Sequence, residues 1–131
     1  MTFDTTLQTL RQRWPELLAV YLFGSVASGQ AGPDSDVDLA VLLPGQADAL
    51  ALWDEAQTLA GMLGRSVDLL DLRAASTVMQ YQVITTGQRL WARDAQAALY
   101  ESFILSEKTA LDAARTELLQ DIEQSGRVYG R

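Results

Sequence analysis

The sequence predicts one α/β domain, in which a small mixed sheet is flanked by helices and closed by a long C-terminal helix. Apolar runs of strand length alternate with helically periodic segments along the chain. A length of 131 residues suits one domain of about average size. We find no internal repeat, low-complexity tract or linker. We therefore expect a single domain over residues 1–131.

Each predicted element is bounded by the glycines, prolines and small polar residues that commonly begin or end helices and strands. The elements are, in chain order, a short helix ending before Pro15, a strand over 17–23, a loop with at most one helical turn over 24–35, a strand over 36–43, a crossover helix over 47–63, a strand over 66–72, a helix over 76–86, a short strand over 88–92 and a long helix over 94–125.

Two of these elements carry specific expectations. The continuous apolar run LLAVYLF predicts a first strand that is buried on both faces. In the crossover helix, Asp48 and Gly64 are suited to the two ends, and the apolar residues fall on one stripe that we expect to face the core. The stripe consists of Leu50, Trp53, Leu59 and Leu63.

Composition restricts the chemistry that the chain can perform. It contains neither cysteine nor histidine. A thiolate zinc site, a thiol nucleophile and any histidine-based triad or proton shuttle are therefore excluded. If the protein is an enzyme, its acids and bases are carboxylates.

The charge balance restricts its partners. The formal net charge of −7 opposes direct binding of nucleic acid, although a metal ion could still admit a small anionic substrate. The first residues, MTFDTTLQTLRQRW, lack the basic segment and apolar run typical of a secretory signal, and no apolar stretch approaches the roughly 20 residues that a membrane span requires. We therefore expect a cytoplasmic protein that does not enter a membrane.

A pair of carboxylates lies at the start of the second predicted strand. Side chains two residues apart on a strand point to the same face, so Asp36 and Asp38 would present their carboxylates side by side. Their mutual repulsion would be relieved by a hard divalent cation with oxygen ligands. Magnesium, which is commonly held by one or two carboxylates together with substrate phosphates, is the expected ion.

A possible phosphate loop directly follows the first strand. Gly24 would let the backbone approach an anion closely, and Ser25 offers a hydroxyl followed by a turn of backbone N–H groups. Alone, each motif is typical of an ordinary strand end. Together, directly after a buried strand, they predict a site for a metal-bound phosphate compound.

A third carboxylate would complete a catalytic arrangement, by holding a second metal or by accepting a proton from an attacking hydroxyl. We select Asp68, inside the third predicted strand, which the crossover can bring beside the second. The alternative interpretation is that Asp68 simply faces solvent, or that it pairs with Arg65 or Arg73. Asp71 points to the opposite face and is the fallback, with a structural role expected.

The string LFGSVASGQAGPDSDVDLAVLL resembles the glycine-serine loop and Asp-x-Asp strand of the nucleotidyltransferase superfamily. The short length, the VDLLDL strand and the closing long helix are similar to minimal nucleotidyltransferase (MNT) antitoxins, whose partners are HEPN-domain ribonuclease toxins. One position departs from the pattern, since Ser28 stands where many relatives have arginine.

The resemblance implies magnesium-dependent transfer of AMP from ATP to a tyrosine of the partner toxin, which inactivates it. Gly24 and Ser25 would hold the triphosphate, Asp36 and Asp38 would bind two metal ions, and Asp68 would complete the triad. Two alternatives stay open. The chain could mask the toxin active site by stoichiometric binding without catalysis, or it could modify a small molecule, which would ordinarily call for a further substrate-binding domain.

Overall fold

A computed structural model of the chain describes residues 2–129, with side chains through residue 123. Strands and helices alternate, as the sequence predicts. They are α1 Asp4–Arg13, β1 Ala19–Phe23, α2 Gly24–Ser28, β2 Val37–Leu42, α3 Ala49–Leu63, β3 Val67–Asp71, a 3-10 turn at Leu72–Ala74, α4 Thr77–Thr86, β4 Gln88–Ala92 and α5 Gln96–Tyr129.

The strands form one mixed sheet in the order β3-β2-β1-β4. Strand β1 pairs antiparallel with both β2 and β4, whereas β2 and β3 run parallel. Parallel neighbours need a long connection, and α3 supplies it. The predicted small mixed sheet with flanking helices and a long C-terminal helix is therefore confirmed.

Alternation along the strands divides the apolar side chains between two cores, one on each face of the sheet. The first core lies under α1 and α3, and the second lies under α4 and α5. Val20 and Leu39 belong to the first, whereas Tyr21 and Ala40 belong to the second. Most of β1 is buried, which confirms the expectation for the LLAVYLF run.

The ends of α3 are as expected, but its buried face is not. Asp48 accepts a hydrogen bond from Ala51 N at 3.0 Å, and Gly64 ends the helix in the left-handed region. Leu50 and Trp53, predicted to face the core, are 77% and 65% exposed. Leu59 is buried as predicted, and the other buried residues of the helix are Glu55 and Ala56. The predicted stripe is wrong in its first half.

Helix α5 is tied to the centre of the sheet by a polar cluster. The Tyr21 hydroxyl donates to Glu101 at 2.7 Å, and Arg89 forms an ion pair with the same carboxylate at 2.9 Å. Burial, followed by the hydrogen bond to Glu101, raises the pKa of Tyr21.

Across the part of the chain that the structure describes, no helix combines the length and apolar character that a bilayer-spanning segment needs.

Asp71 has the structural role expected of it. It is buried, and its carboxylate accepts hydrogen bonds from the backbone N–H groups of Ala47 at 2.7 Å and Arg73 at 3.2 Å. These bonds join the start of the crossover segment to the end of β3.

We predict that Asp71→Ala lowers the free energy of unfolding by about 1–3 kcal/mol, because it leaves two partly buried backbone donors without an acceptor. Urea unfolding measures the loss. Activity per folded molecule should persist, and an inactive variant of normal stability would contradict this structural role.

Candidate active site

The glycine at the end of β1 lies directly against a candidate catalytic carboxylate. Gly24 follows Phe23, and Phe23 is the register partner of Asp38 on β2. Gly24 has a φ of +74°, and a Cβ placed on it would lie 2.1 Å from Oδ2 of Asp38. Only glycine combines this conformation with so close an approach. The predicted loop and the predicted carboxylate therefore meet.

Two of the three predicted carboxylates occupy matching positions on neighbouring strands. The parallel register of β2 and β3 pairs Asp38 with Asp68. The next residues along the strands, Leu39 and Leu69, point into the core under α1 and α3. Because successive side chains of a strand point to opposite faces, both carboxylates lie on the other face of the sheet. The crossover thus brings the third carboxylate beside the second strand, as predicted.

Asp36 differs from expectation in its local structure. Strand β2 begins at Val37, so Asp36 is the last residue of the preceding loop and does not belong to the strand ladder. It is exposed, and its charge nevertheless acts on Asp38. The Asp-x-Asp pair is therefore formed by one loop residue and one strand residue, because the ladder starts with the bond from Val37 N to Ser66 O.

The site carries the negative charges of neighbouring carboxylates, and among the described residues no positive group offsets their effect on Asp38. Partial burial is the first cause that raises the pKa of Asp38, followed by the repulsion of Asp68 and then of Asp36. Neither Arg65 nor Arg73 supplies a counter-charge through an ion pair with Asp68. Their guanidinium groups donate to the backbone carbonyls of Gly32 and Ser35, and of Leu43, respectively.

A raised pKa means that folding favours protonated Asp38. Its contribution to stability is complete below the pKa of the unfolded chain and is lost as pH rises through the folded value. We therefore predict that Asp38→Asn raises the melting temperature at neutral pH, and that the difference disappears below about pH 4. Thermal melts across this range, with the exposed Asp34→Asn as control, measure it; equal melting temperatures at neutral pH would contradict it.

The first turn of α2 follows the approach of Gly24 to Asp38. Phe23 occupies the N-cap position and makes no side-chain hydrogen bond to the helix. The first N–H groups of a helix have no intrahelical acceptor, and phosphate oxygens can accept from them. Ser25 is half-buried in this turn, and its carbonyl accepts a hydrogen bond from Ser28 Oγ at 3.1 Å. Ser28 thus bonds within the turn.

The donor set suits magnesium by its chemistry. All three candidate ligands are carboxylates, and a cation would relieve the repulsion that raises the pKa of Asp38. Among the side chains that the structure describes, however, no three acidic groups stand as a ready-made metal cage. The carboxylates are therefore neighbours without a preformed coordination sphere.

The sequence matches one protein family over most of its length. Residues 5–96 match the model of the family described as polymerase beta, nucleotidyltransferase. The matched range contains every candidate residue of the site. It ends at the beginning of α5, so the long helix lies outside the match.

Individual relatives resemble nearly the whole chain. The protein adenylyltransferase MntA of Shewanella oneidensis is 40% identical over 116 residues, which cover 88% of this chain and 84% of MntA. A crystal structure of a toxin-antitoxin with AMP-PNP contains a chain that is 37% identical, with a TM-score of 0.83 and coverage of 94% and 99% of the two chains.

A further solved structure contains a modified partner. It is the tri-AMPylated Shewanella oneidensis HEPN toxin in complex with its MNT antitoxin, matched at 37% identity and a TM-score of 0.75. The match covers 92% of this chain and 94% of the other. The nucleotide analogue and the AMP modification are properties of those relatives.

Proposed function

The chain belongs to the polymerase beta nucleotidyltransferase family, and from this premise we propose that it is an adenylyltransferase antitoxin. It transfers AMP from ATP to a tyrosine hydroxyl of a partner HEPN ribonuclease toxin and thereby inactivates the toxin. The observation that carries this proposal is the contact between the Gly24 backbone and the Asp38 carboxylate, with Asp68 in register beside it. The MntA relative and the AMPylated toxin complex support the substrate and the partner.

The residues have separate roles in binding. The backbone N–H groups of the first turn of α2, together with the Ser25 hydroxyl, bind the triphosphate. Asp36, Asp38 and Asp68 are the residues that would hold two magnesium ions. The ions, when bound, would neutralise phosphate charge and favour ionisation of the acceptor hydroxyl. Since the site repels anions in their absence, binding of ATP should depend on the cation.

The reaction is an in-line displacement at phosphorus. The acceptor oxygen forms a bond to the α-phosphorus of ATP, the bond from that phosphorus to the bridging oxygen breaks, and pyrophosphate leaves with the electron pair. Asp68 is exposed, so an acceptor from another protein can reach it, and it receives the hydroxyl proton. A free tyrosine has a pKa of roughly 10, which is why its oxygen needs such assistance near neutral pH.

The chain and its partner toxin, incubated with magnesium and ATP carrying label in either the α- or the γ-phosphate, test this function. We expect α-label on the toxin, γ-label in released pyrophosphate, and loss of the toxin's RNA cleavage. Purified toxin without the antitoxin is the control. Loss of RNA cleavage without any labelling would refute AMP transfer and would favour masking by stoichiometric binding.

A further inference from the structure

Asp36 lies outside the strand ladder, yet the structure fixes it from both sides. On its C-terminal side, Val37 N donates to Ser66 O at 2.9 Å. On its N-terminal side, the Ser35 carbonyl accepts a hydrogen bond from Nε of Arg65 at 3.1 Å. Both anchors come from adjacent residues that immediately precede β3.

Arg65 holds more than one point of the loop. Its Nη2 donates to the Gly32 carbonyl at 2.7 Å. Gly32 and Ser35 are also bonded to each other, from Ser35 N to Gly32 O at 3.2 Å and from Gly32 N to Ser35 Oγ at 2.8 Å. The guanidinium therefore clamps a closed turn whose next residue is Asp36. A planar group with several fixed donors is suited to this paired donation.

We propose that Arg65 is a positioning residue that sets Asp36 relative to Asp68. It stands three positions before Asp68 and acts through the backbone of the turn 32–35. The inference rests on the proposed function for its catalytic consequence, because Asp36 must hold a metal ion for its position to matter. Among the side chains that the structure describes, Arg65 forms no ion pair with a carboxylate, so its effect is carried by hydrogen bonds to the backbone.

The chain contains a matched control for this arginine. Arg73 follows β3 where Arg65 precedes it, and its Nε likewise donates to a backbone carbonyl, that of Leu43. Arg73 also lies over the ring of Tyr100, at 4.7 Å from the centroid. Arg73→Ala thus removes an arginine that ties the opposite end of the same pair of strands.

The test begins with hydrogen-deuterium exchange and binding of Mn²⁺ measured by electron paramagnetic resonance, without nucleotide or partner. We expect Arg65→Ala to accelerate amide exchange in residues 32–37 and to weaken Mn²⁺ binding by about 10-fold, a typical effect of losing a residue that orients a metal ligand. Arg73→Ala should leave both quantities unchanged. Arg65→Lys keeps the charge without the paired donation, so it should resemble Arg65→Ala.

The consequence for catalysis is an increase of about 10-fold in the magnesium concentration for half-maximal AMP transfer, with the rate recovering at high magnesium. Unchanged exchange in 32–37, unchanged Mn²⁺ affinity, full activity of Arg65→Lys at limiting magnesium, or equal weakening by Arg73→Ala would each overturn the positioning role. A wild-type chain that binds Mn²⁺ in this Arg65-dependent manner but transfers no AMP would support the positioning role and refute the proposed function.

Discussion

If the proposed function holds, Asp38→Ala is expected to lower the rate of AMP transfer by about 1,000-fold or more, because removing the proposed metal ligand forfeits several kcal/mol of charge stabilisation. Asp38 is the central carboxylate of the site. Its carboxylate lies directly against the backbone of Gly24, and Asp38 is the register partner of Asp68. The negative charge of Asp36 contributes to its raised pKa.

The rate is measured as labelled AMP appearing on the partner toxin at saturating ATP. The matched control is Asp34→Ala, which removes an exposed aspartate from the loop that precedes β2. Asp34→Ala should retain the wild-type rate and Asp36→Ala should share the defect. A folded Asp38→Ala protein that labels the toxin at the wild-type rate would refute the assigned role.

Gly24→Ala is expected to lower the rate of transfer by about 100-fold, in line with the loss produced by misplacing a catalytic group by about 1 Å. The added Cβ would lie 2.1 Å from Oδ2 of Asp38, so the carboxylate must turn away from its position. The substitution also incurs the strain of a positive φ, at about 1–2 kcal/mol. Transfer kinetics and urea unfolding separate these two effects.

Gly29→Ala is the control for strain. Gly29 ends α2 with a φ of +77°, close to the value at Gly24, but nothing lies within 4 Å of a Cβ placed there. Both variants should therefore lose a similar free energy of unfolding, and only Gly24→Ala should lose most of its activity per folded molecule. Equal activities of the two variants would show that the contact with Asp38 does not matter.

Local patterns predicted the elements well where one signal was unambiguous. The apolar run before Gly24 became the central strand, and the loop after it contains one short helix, α2, as expected. The Gly-Ser loop met Asp38 because the antiparallel register of β1 and β2 returns the chain to the same edge. Period-two alternation also separated Asp68 from the structural Asp71.

The errors arose where tertiary contacts decide between equivalent local patterns. Helix α3 is apolar on more than one side, so periodicity could not select which stripe packs on the sheet, and Leu50 and Trp53 lie outside it. The buried Glu55 illustrates the same limit. Glu55 forms an ion pair with Arg13 at 3.9 Å. The two residues are far apart in the sequence, so no local pattern predicts their contact.

The role of Arg65 was likewise hidden from the sequence. Its bonds go to the backbone carbonyls of Gly32 and Ser35, and a backbone acceptor leaves no signature in residue types. Sequence reasoning considered it only as a partner of a carboxylate. The start of β2 at Val37, which leaves Asp36 in the loop, follows from the bond from Val37 N to Ser66 O, and residue types do not reveal that backbone contact either.

The central claim is tested most directly by anomalous diffraction from crystals of the chain grown with Mn²⁺ and AMP-PNP. We predict manganese bonded to Asp36 and Asp38, with the triphosphate against residues 24–28. Manganese bound away from both carboxylates, or a nucleotide bound elsewhere with this loop free, would contradict the account.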